Sequence, residues 1–233
     1  MNMMPTPMAL RILRFLLAGL TLAILAMGTA GAQSGNLLPK YGPQPKNEAQ
    51  LVADRKFLAS VDAEYKGDRK KAAGEVALRG WQLLRQGNPQ DAMRRFNQAW
   101  LLDAGNGTAL WGMAVVQMGT PGKTDEAMSL FAEADRLVGS DIDFAVDYAK
   151  ALGQVGAGSR NEAMIKDAFR RYAQLYAKAP NHTLNLQNWA VTLYYVGNYA
   201  EAWKKVKLAE ATPRRAELDP KFIVALQAKL PRP

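Results

Sequence analysis

Few residues in this chain have the type and spacing to do chemistry, and each has a plainer explanation beside it. Gly119 to Thr124 reads GTPGKT and resembles a phosphate-binding loop, whose backbone N–H groups and lysine cradle phosphates between a strand and a helix. That motif needs a glycine where this chain has Gln117, and the preceding residues have helical periodicity. A turn centred on Gly122 is therefore the better account. His182 is the only histidine, so it cannot build a multi-histidine metal site, and no serine stands beside it to form a nucleophile pair. A surface turn residue is expected there. Asp141 and Asp143 are paired carboxylates, but after Ser140 they suit the first turn of a helix, where negative charge is favourable. The triplets Asn106-Gly107-Thr108 and Asn181-His182-Thr183 have the pattern of glycosylation acceptors, and both fall where turns rich in Asn and Gly are expected anyway. With no cysteine, thiolate nucleophiles, thiolate metal sites and disulfides are all excluded. No compact acid/base, nucleophile or metal constellation stands out, and nothing specifies a cofactor.

What would position any site is a recurring pair of helices. Gly80 to Asp103 reads as a helix, a turn at Gly87 and a second helix whose Ala92, Phe96 and Ala99 share one face. The pattern returns three times. Glycines at 87, 122, 156 and 197 step by 35, 34 and 41, and alanines at 92, 127, 168 and 202 step by 35, 41 and 34. Phe96, Phe131, Tyr172 and Val206 follow in register. The two series place a seven-residue insertion between Gly156 and Ala168, inside the third hairpin. Ser159 and Glu162 make a capping box there, so the insertion is expected to lengthen the second helix by about two turns and keep its face. Asn88, with Pro89 and Asp91, and Asn198, with Glu201, read as caps of the second helices in the first and fourth hairpins.

These landmarks resemble the tetratricopeptide repeat (TPR) family, whose degenerate 34-residue signature is W-x2-L-G-x2-Y, then A-x3-F, then Pro. Gly80, Ala92 and Phe96 carry it in the first unit, and Trp111, Ala127 and Phe131 in the second. Ala168, Tyr172 and Pro180 carry it in the third, and Gly197 and Ala202 in the fourth. Val115, Ala149 and Ala190 replace the small glycine of the first helix. The resemblance implies an all-α, right-handed solenoid of four helical hairpins over residues 73–214. Helices at 47–72, which also begin the first hairpin, and 215–233 are expected to cap it, since a solenoid end exposes an apolar face unless an atypical element covers it.

The ends have their own signals. Arg11 and Arg14 precede an apolar run from Phe15 to Met27 and then Ala30-Gly31-Ala32, the layout of a secretory signal peptide over residues 1–32, cleaved after Ala32. Periplasmic or secreted placement follows, with retention as a membrane anchor as the alternative. Residues 33–46 contain Pro39, Pro43, Pro45, Gly35 and Gly42 and read as an extended, flexible linker. Asp219-Pro220 opens a closing helix with Phe222, Ile223, Leu226 and Leu230 on one face. Lys and Arg number 30 against 21 Asp and Glu, so loss of the two leader arginines would leave a net +7. A basic surface suits anionic lipid or an acidic partner, and export argues against nucleic acid.

Function is then expected in surfaces rather than in catalysis. The resemblance implies a concave groove lined by the first helices, and the register puts Trp81, Leu84 and Arg85 there from the first hairpin, with Gly112, Val116 and Thr120 from the second. Val146, Lys150 and Gln154 come from the third, and Gln187, Val191, Tyr194 and Tyr195 from the fourth. Such a groove takes an extended or helical protein segment with apolar anchors. The aromatics could equally be core. Arg94-Arg95, Arg170-Arg171 and Lys204-Lys205 recur at one step of the repeat and would form a basic stripe on the outer, second-helix surface. The expectation is an exported, non-catalytic scaffold that binds a protein or peptide. The alternatives are a membrane-surface or envelope-assembly factor using the basic face, and an envelope-polymer hydrolase whose carboxylates only the fold brings together.

Overall fold

The computed structural model describes residues 35–233, so the leader segment lies outside the described residues. Among the described residues the secondary structure is entirely helical, with ten α-helices. They divide into two compact units, residues 35–104 of the described chain and residues 105–233.

The first unit contains α1 (Glu48–Tyr65), α2 (Arg69–Arg85) and α3 (Pro89–Leu102). A reciprocal capping box opens α1: Asn47 Oδ1 accepts from Gln50 N–H and Gln50 Oε1 from Asn47 N–H, both at 2.9 Å. Lys66 and Gly67, both at positive φ, stop it. Asp68 caps α2 through the Lys71 N–H. Asn88 makes no side-chain cap, contrary to the sequence reading, and α3 opens on Pro89 alone, whose φ is preset for a helix. Val61 of α1 packs with Ala72, Ala73 and Leu102, with Phe57, Leu58 and Tyr65 around them. Phe96 is fully buried in the α2–α3 hairpin, where Trp81 meets it edge-on at 5.7 Å.

The segment before α1 is not the extended tether its prolines suggest. Pro39–Tyr41 forms a 3-10 turn, Pro39 is buried, and the segment lies on α3. The fully buried Asn97 of α3 holds it, its Nδ2 donating to the carbonyls of Asn36 (3.0 Å) and Leu38 (2.8 Å). Lys46 then pairs with Asp54 and lies over the Tyr41 ring, 3.4 Å from its centroid.

The second unit contains three hairpins, α4–α5 (Gly107–Met118, Thr124–Val138), α6–α7 (Ile142–Ser159, Glu162–Lys178) and α8–α9 (Thr183–Tyr195, Tyr199–Glu210), and a closing helix α10 (Pro220–Lys229). Gly122 and Gly197 adopt positive φ at the first and third of these turns, so GTPGKT is a hairpin turn. Asn106, Asp141, Asn161, Asn198 and Asp219 each cap the next helix with a side-chain oxygen. His182 does so with Nδ1, which accepts from Asn185 N–H at 3.3 Å.

The seven-residue insertion is placed differently from the sequence reading. Gly156 is not the turn; it is buried inside α6. The turn is at Arg160, in the left-handed region at φ 55, and Asn161 rather than Ser159 caps α7. Ser159 instead ends α6, its hydroxyl donating to the Val155 carbonyl at 2.7 Å. Measured from Gly122 to Arg160 to Gly197 the steps are 38 and 37, so each helix of this hairpin gains about one turn. One turn on either side restores the facing of both helices, which is why the core register survives.

Aromatic pairs join consecutive hairpins here. Phe131 of α5 stacks on Tyr148 of α6 at 5.4 Å, and Trp111 of α4 meets Phe144 of α6 edge-on at 5.8 Å. Gly153 lets α6 approach α8, since a Cβ there would sit 2.3 Å from Thr192 Oγ1. At the C-terminal end Ala190, Leu193, Ala202, Trp203 and Val206 are covered by Phe222 and Leu226 of α10. Trp203 Nε1 donates to the Leu230 carbonyl at 2.9 Å and secures that helix.

Candidate functional site

Residues four apart on a helix share a face, so Lys150 and Gln154 of α6 project together, as do Gln187, Val191, Tyr194 and Tyr195 of α8. The structure brings these six into one concavity of about 490 Å³ within the second unit. Tyr172, Asn188 and Thr192 also line it, and α10 completes it with Asp219, Lys221, Phe222 and Ala225. Tyr172 is fully buried; its phenol is pushed far above its ordinary range by burial and shares a 3.1 Å hydrogen bond with Thr192 Oγ1. Gln187 Oε1 accepts from the Asp219 N–H at 2.6 Å, tying α8 to the start of α10.

The two tyrosines of α8 divide the roles left open by the sequence. Tyr194 packs against the C-terminal core and touches Tyr199 and Phe222, at 5.5 and 5.9 Å between centroids. Tyr195 is 63% exposed and touches only Tyr194 among the aromatic rings described. It is a large apolar side chain left at the edge of a cleft, whereas Tyr194 is one of the cleft's supports.

The other expected groove residues sort differently. Gly112 and Val146 are buried in the second unit's core. Between α4, α5 and α6 a smaller recess of about 90 Å³ is lined by Val115, Met118, Phe131 and Asp147 together with Lys150, Ala151 and Gln154. Its α4 wall is thus Val115 and Met118, not the expected Val116 and Thr120; the Thr120 hydroxyl donates back to the Val116 carbonyl at 3.0 Å. In the first unit Trp81 and Leu84 are half-buried and Arg85 is exposed in the last turn of α2. Trp81, packed on Phe96, is a structural side chain of its own hairpin.

Asp147 is the electrostatically strained group beside the cleft. Burial pushes its carboxyl above the ordinary range, against the Trp111 indole N–H it accepts at 3.1 Å and the nearby Lys150 charge. His182, the cap of α8, has its Nε2 3.4 Å from Oδ1 of Asp143, which stands in the first turn of α6. Among the described residues no group of three or more His, Cys, Asp or Glu side chains is placed to hold a metal ion.

Of the six residues of the basic pairs, four are in ion pairs among the described residues and two, Arg95 and Lys205, are not. Arg94 pairs with Asp91, Arg95 donates to Gln98, Arg170 pairs with Asp167, and Lys204 pairs with Glu201. Arg171 donates to Asp135 at 2.7 Å and Asp167 at 3.1 Å while lying over the Tyr148 ring, and Lys205 Nζ stands 3.8 Å from the Trp189 centroid. Burial raises the Asp167 carboxyl, but hydrogen bonds from Arg170 and Arg171 outweigh it and hold it below its ordinary range. Arg171 is thus a joint between hairpins.

The contribution of α10 to the cleft was not legible in the sequence. Asp219-Pro220 marked the helix, but nothing local in sequence says that Lys221, Phe222 and Ala225 turn toward α8.

Residues 83–145 match the family model described as Tetratricopeptide repeat. No curated protein matches the sequence. Among solved structures, the chain is similar to MamA (residue 41 to the end) from Desulfovibrio magneticus RS-1, at 15% identity and a TM-score of 0.52, over 70% of this chain and 84% of that one. It is also similar to a chain of the APC/C hetero-tetramer Cut9–Hcn1, at 18% identity and a TM-score of 0.54, over 77% of this chain and 32% of that one. At such identities the likeness concerns the fold.

Proposed function

We propose that this tetratricopeptide-repeat protein is an exported, non-catalytic scaffold that holds a segment of another protein in the cleft lined by α6, α8 and α10. The observation that carries the reading is the cleft itself, where polar side chains from two hairpins and the closing helix surround an exposed tyrosine. Concave sites with a few polar groups among apolar walls suit ligands, and exposed aromatics are favoured anchors. The similar Cut9–Hcn1 structure is of an assembly of proteins, which agrees with a role in protein association.

The export half rests on the leader signals and is tested by intact mass of the protein from its host. A chain starting at Gln33 is expected, and a retained Met1 in membrane fractions would overturn it. The binding half is tested by affinity capture from an envelope extract with the wild-type chain, Tyr195→Ala and Leu78→Ala. Leu78 is 60% exposed on α2 and serves as a matched apolar control. A partner lost with Tyr195→Ala and kept with Leu78→Ala, at equal melting temperatures, is the expected result. Identical captures from all three would contradict it.

A further inference from the structure

We infer that the cleft between α6, α8 and α10 selects an extended segment carrying an acidic side chain next to an apolar one. This rests on the cleft being the partner site and adds the chemistry of what fills it.

Charge complementarity points to the occupant. Lys150 of α6 and Lys221 of α10 both line the cleft, both are exposed, and neither takes part in an ion pair or side-chain hydrogen bond among the described residues. What sets them apart is their place, since both line the same cleft. Two carboxylates lie near. Asp219 is committed to its own helix, its Oδ1 accepting the Lys221 backbone N–H at 2.9 Å. Asp147 feels the Lys150 charge and accepts the Trp111 indole N–H at 3.1 Å. Among the described residues neither ammonium group is closed by an ion pair within the cleft.

An occupant must meet that charge. A purely apolar segment would strip water from two ammonium groups and return nothing, and a basic one would add repulsion. A carboxylate placed between α6 and α10 receives charge-assisted hydrogen bonds from either lysine. Its neighbour in the segment then falls against Tyr195 and Phe222. The Gln154 side chain, also without a hydrogen-bond partner among the described residues, offers an amide to the segment's backbone. We take the carboxylate to be that of an internal Asp or Glu rather than a chain terminus.

The test uses the mature full chain and fluorescein-labelled, C-terminally amidated octapeptide pools, read by fluorescence anisotropy. Pools fix Glu, Gln, Lys or Leu at each position beside a Leu or Phe. Glu pools should bind about tenfold more tightly than their Gln counterparts, as expected when a charge-assisted bond is lost. Lys150→Ala and Lys221→Ala should each weaken the Glu pools about fivefold and leave the Gln pools unchanged. Tyr195→Ala should weaken both. All three positions are exposed, and melting curves check that the variants fold. If Glu and Gln pools bind equally while Tyr195→Ala still weakens them, this inference fails and the cleft reading stands. If only peptides with a free C-terminal carboxylate bind, the internal-acid proposal is overturned. If no pool binds in a Tyr195-dependent way, both readings fall.

Discussion

Two glycines of α2 separate helix propensity from packing within six residues of each other. Gly74 has open space where a Cβ would go, whereas at Gly80 a Cβ would sit 2.5 Å from the buried Phe96 ring. Gly74→Ala should therefore stabilise the protein by about 0.5–1 kcal/mol. Gly80→Ala should destabilise it by about 1–3 kcal/mol despite the same gain in propensity. Urea unfolding checks both, and equal shifts would contradict the packing. The aromatic pair behaves as a second test. Trp81→Ala should cost about 3 kcal/mol of stability because it leaves the Phe96 ring unsupported. Tyr195→Ala should leave stability unchanged and cost about 2 kcal/mol of partner affinity. Asp147 supplies a pH signature. Its folded-state pKa is raised, so its ionised form costs stability at neutral pH, and that cost fades as pH falls through the folded pKa. Asp147→Asn, which keeps an oxygen for the Trp111 N–H, should raise the melting temperature at pH 7 and give no advantage below the carboxylate range. The repeat register, read with the family resemblance, put Lys150, Gln154, Gln187, Val191 and Tyr195 on one side, and the cleft gathers them. The register could not tell Tyr194 or Trp81 from an anchor, because both readings place an aromatic on the same helical face and only the neighbour decides.

Among the elements, the third hairpin is the one whose geometry departs from the repeat. The sequence offered two landmarks, a glycine at 156 and a capping box at Ser159, and neither is where the chain turns. Gly156 is small for packing, since a Cβ there would come within 3.0 Å of Ile165 and Met164. A glycine required by a close contact and one required by a positive φ look the same in a sequence. Arg160 carries the positive φ that Gly122 and Gly197 carry elsewhere. Asn161→Ala should thus cost about 1 kcal/mol, the usual loss of a helix cap, while Ser159→Ala should be near neutral. Thermal unfolding of the two variants decides it, and the reverse order would restore Ser159 as the cap. The caps at Asn198 and Asp219 were legible because their acceptors reach N–H groups only two or three residues on. Asn97 was not, since the carbonyls it holds are 59 and 61 residues away in sequence.

At the scale of the molecule, the repeat count, the all-helical class and the closing helix were readable because landmarks recur over many residues and errors in one unit are corrected by the others. The packed segment at 35–46 and the α10 wall of the cleft were not, for both depend on tertiary docking that local composition does not encode. The function proposed depends on the second of these. It requires a partner segment in the cleft of residues 105–233, beside Tyr195. The direct measurement is photo-crosslinking in the host with benzoylphenylalanine at position 195, and at position 78 as the exposed control, followed by mapping of the crosslinked residues. Adducts from position 195 that map to one segment of one partner, with an acidic residue beside the crosslink and none from position 78, are the predicted result. No adduct at position 195, or the same adducts from both positions, would contradict the account.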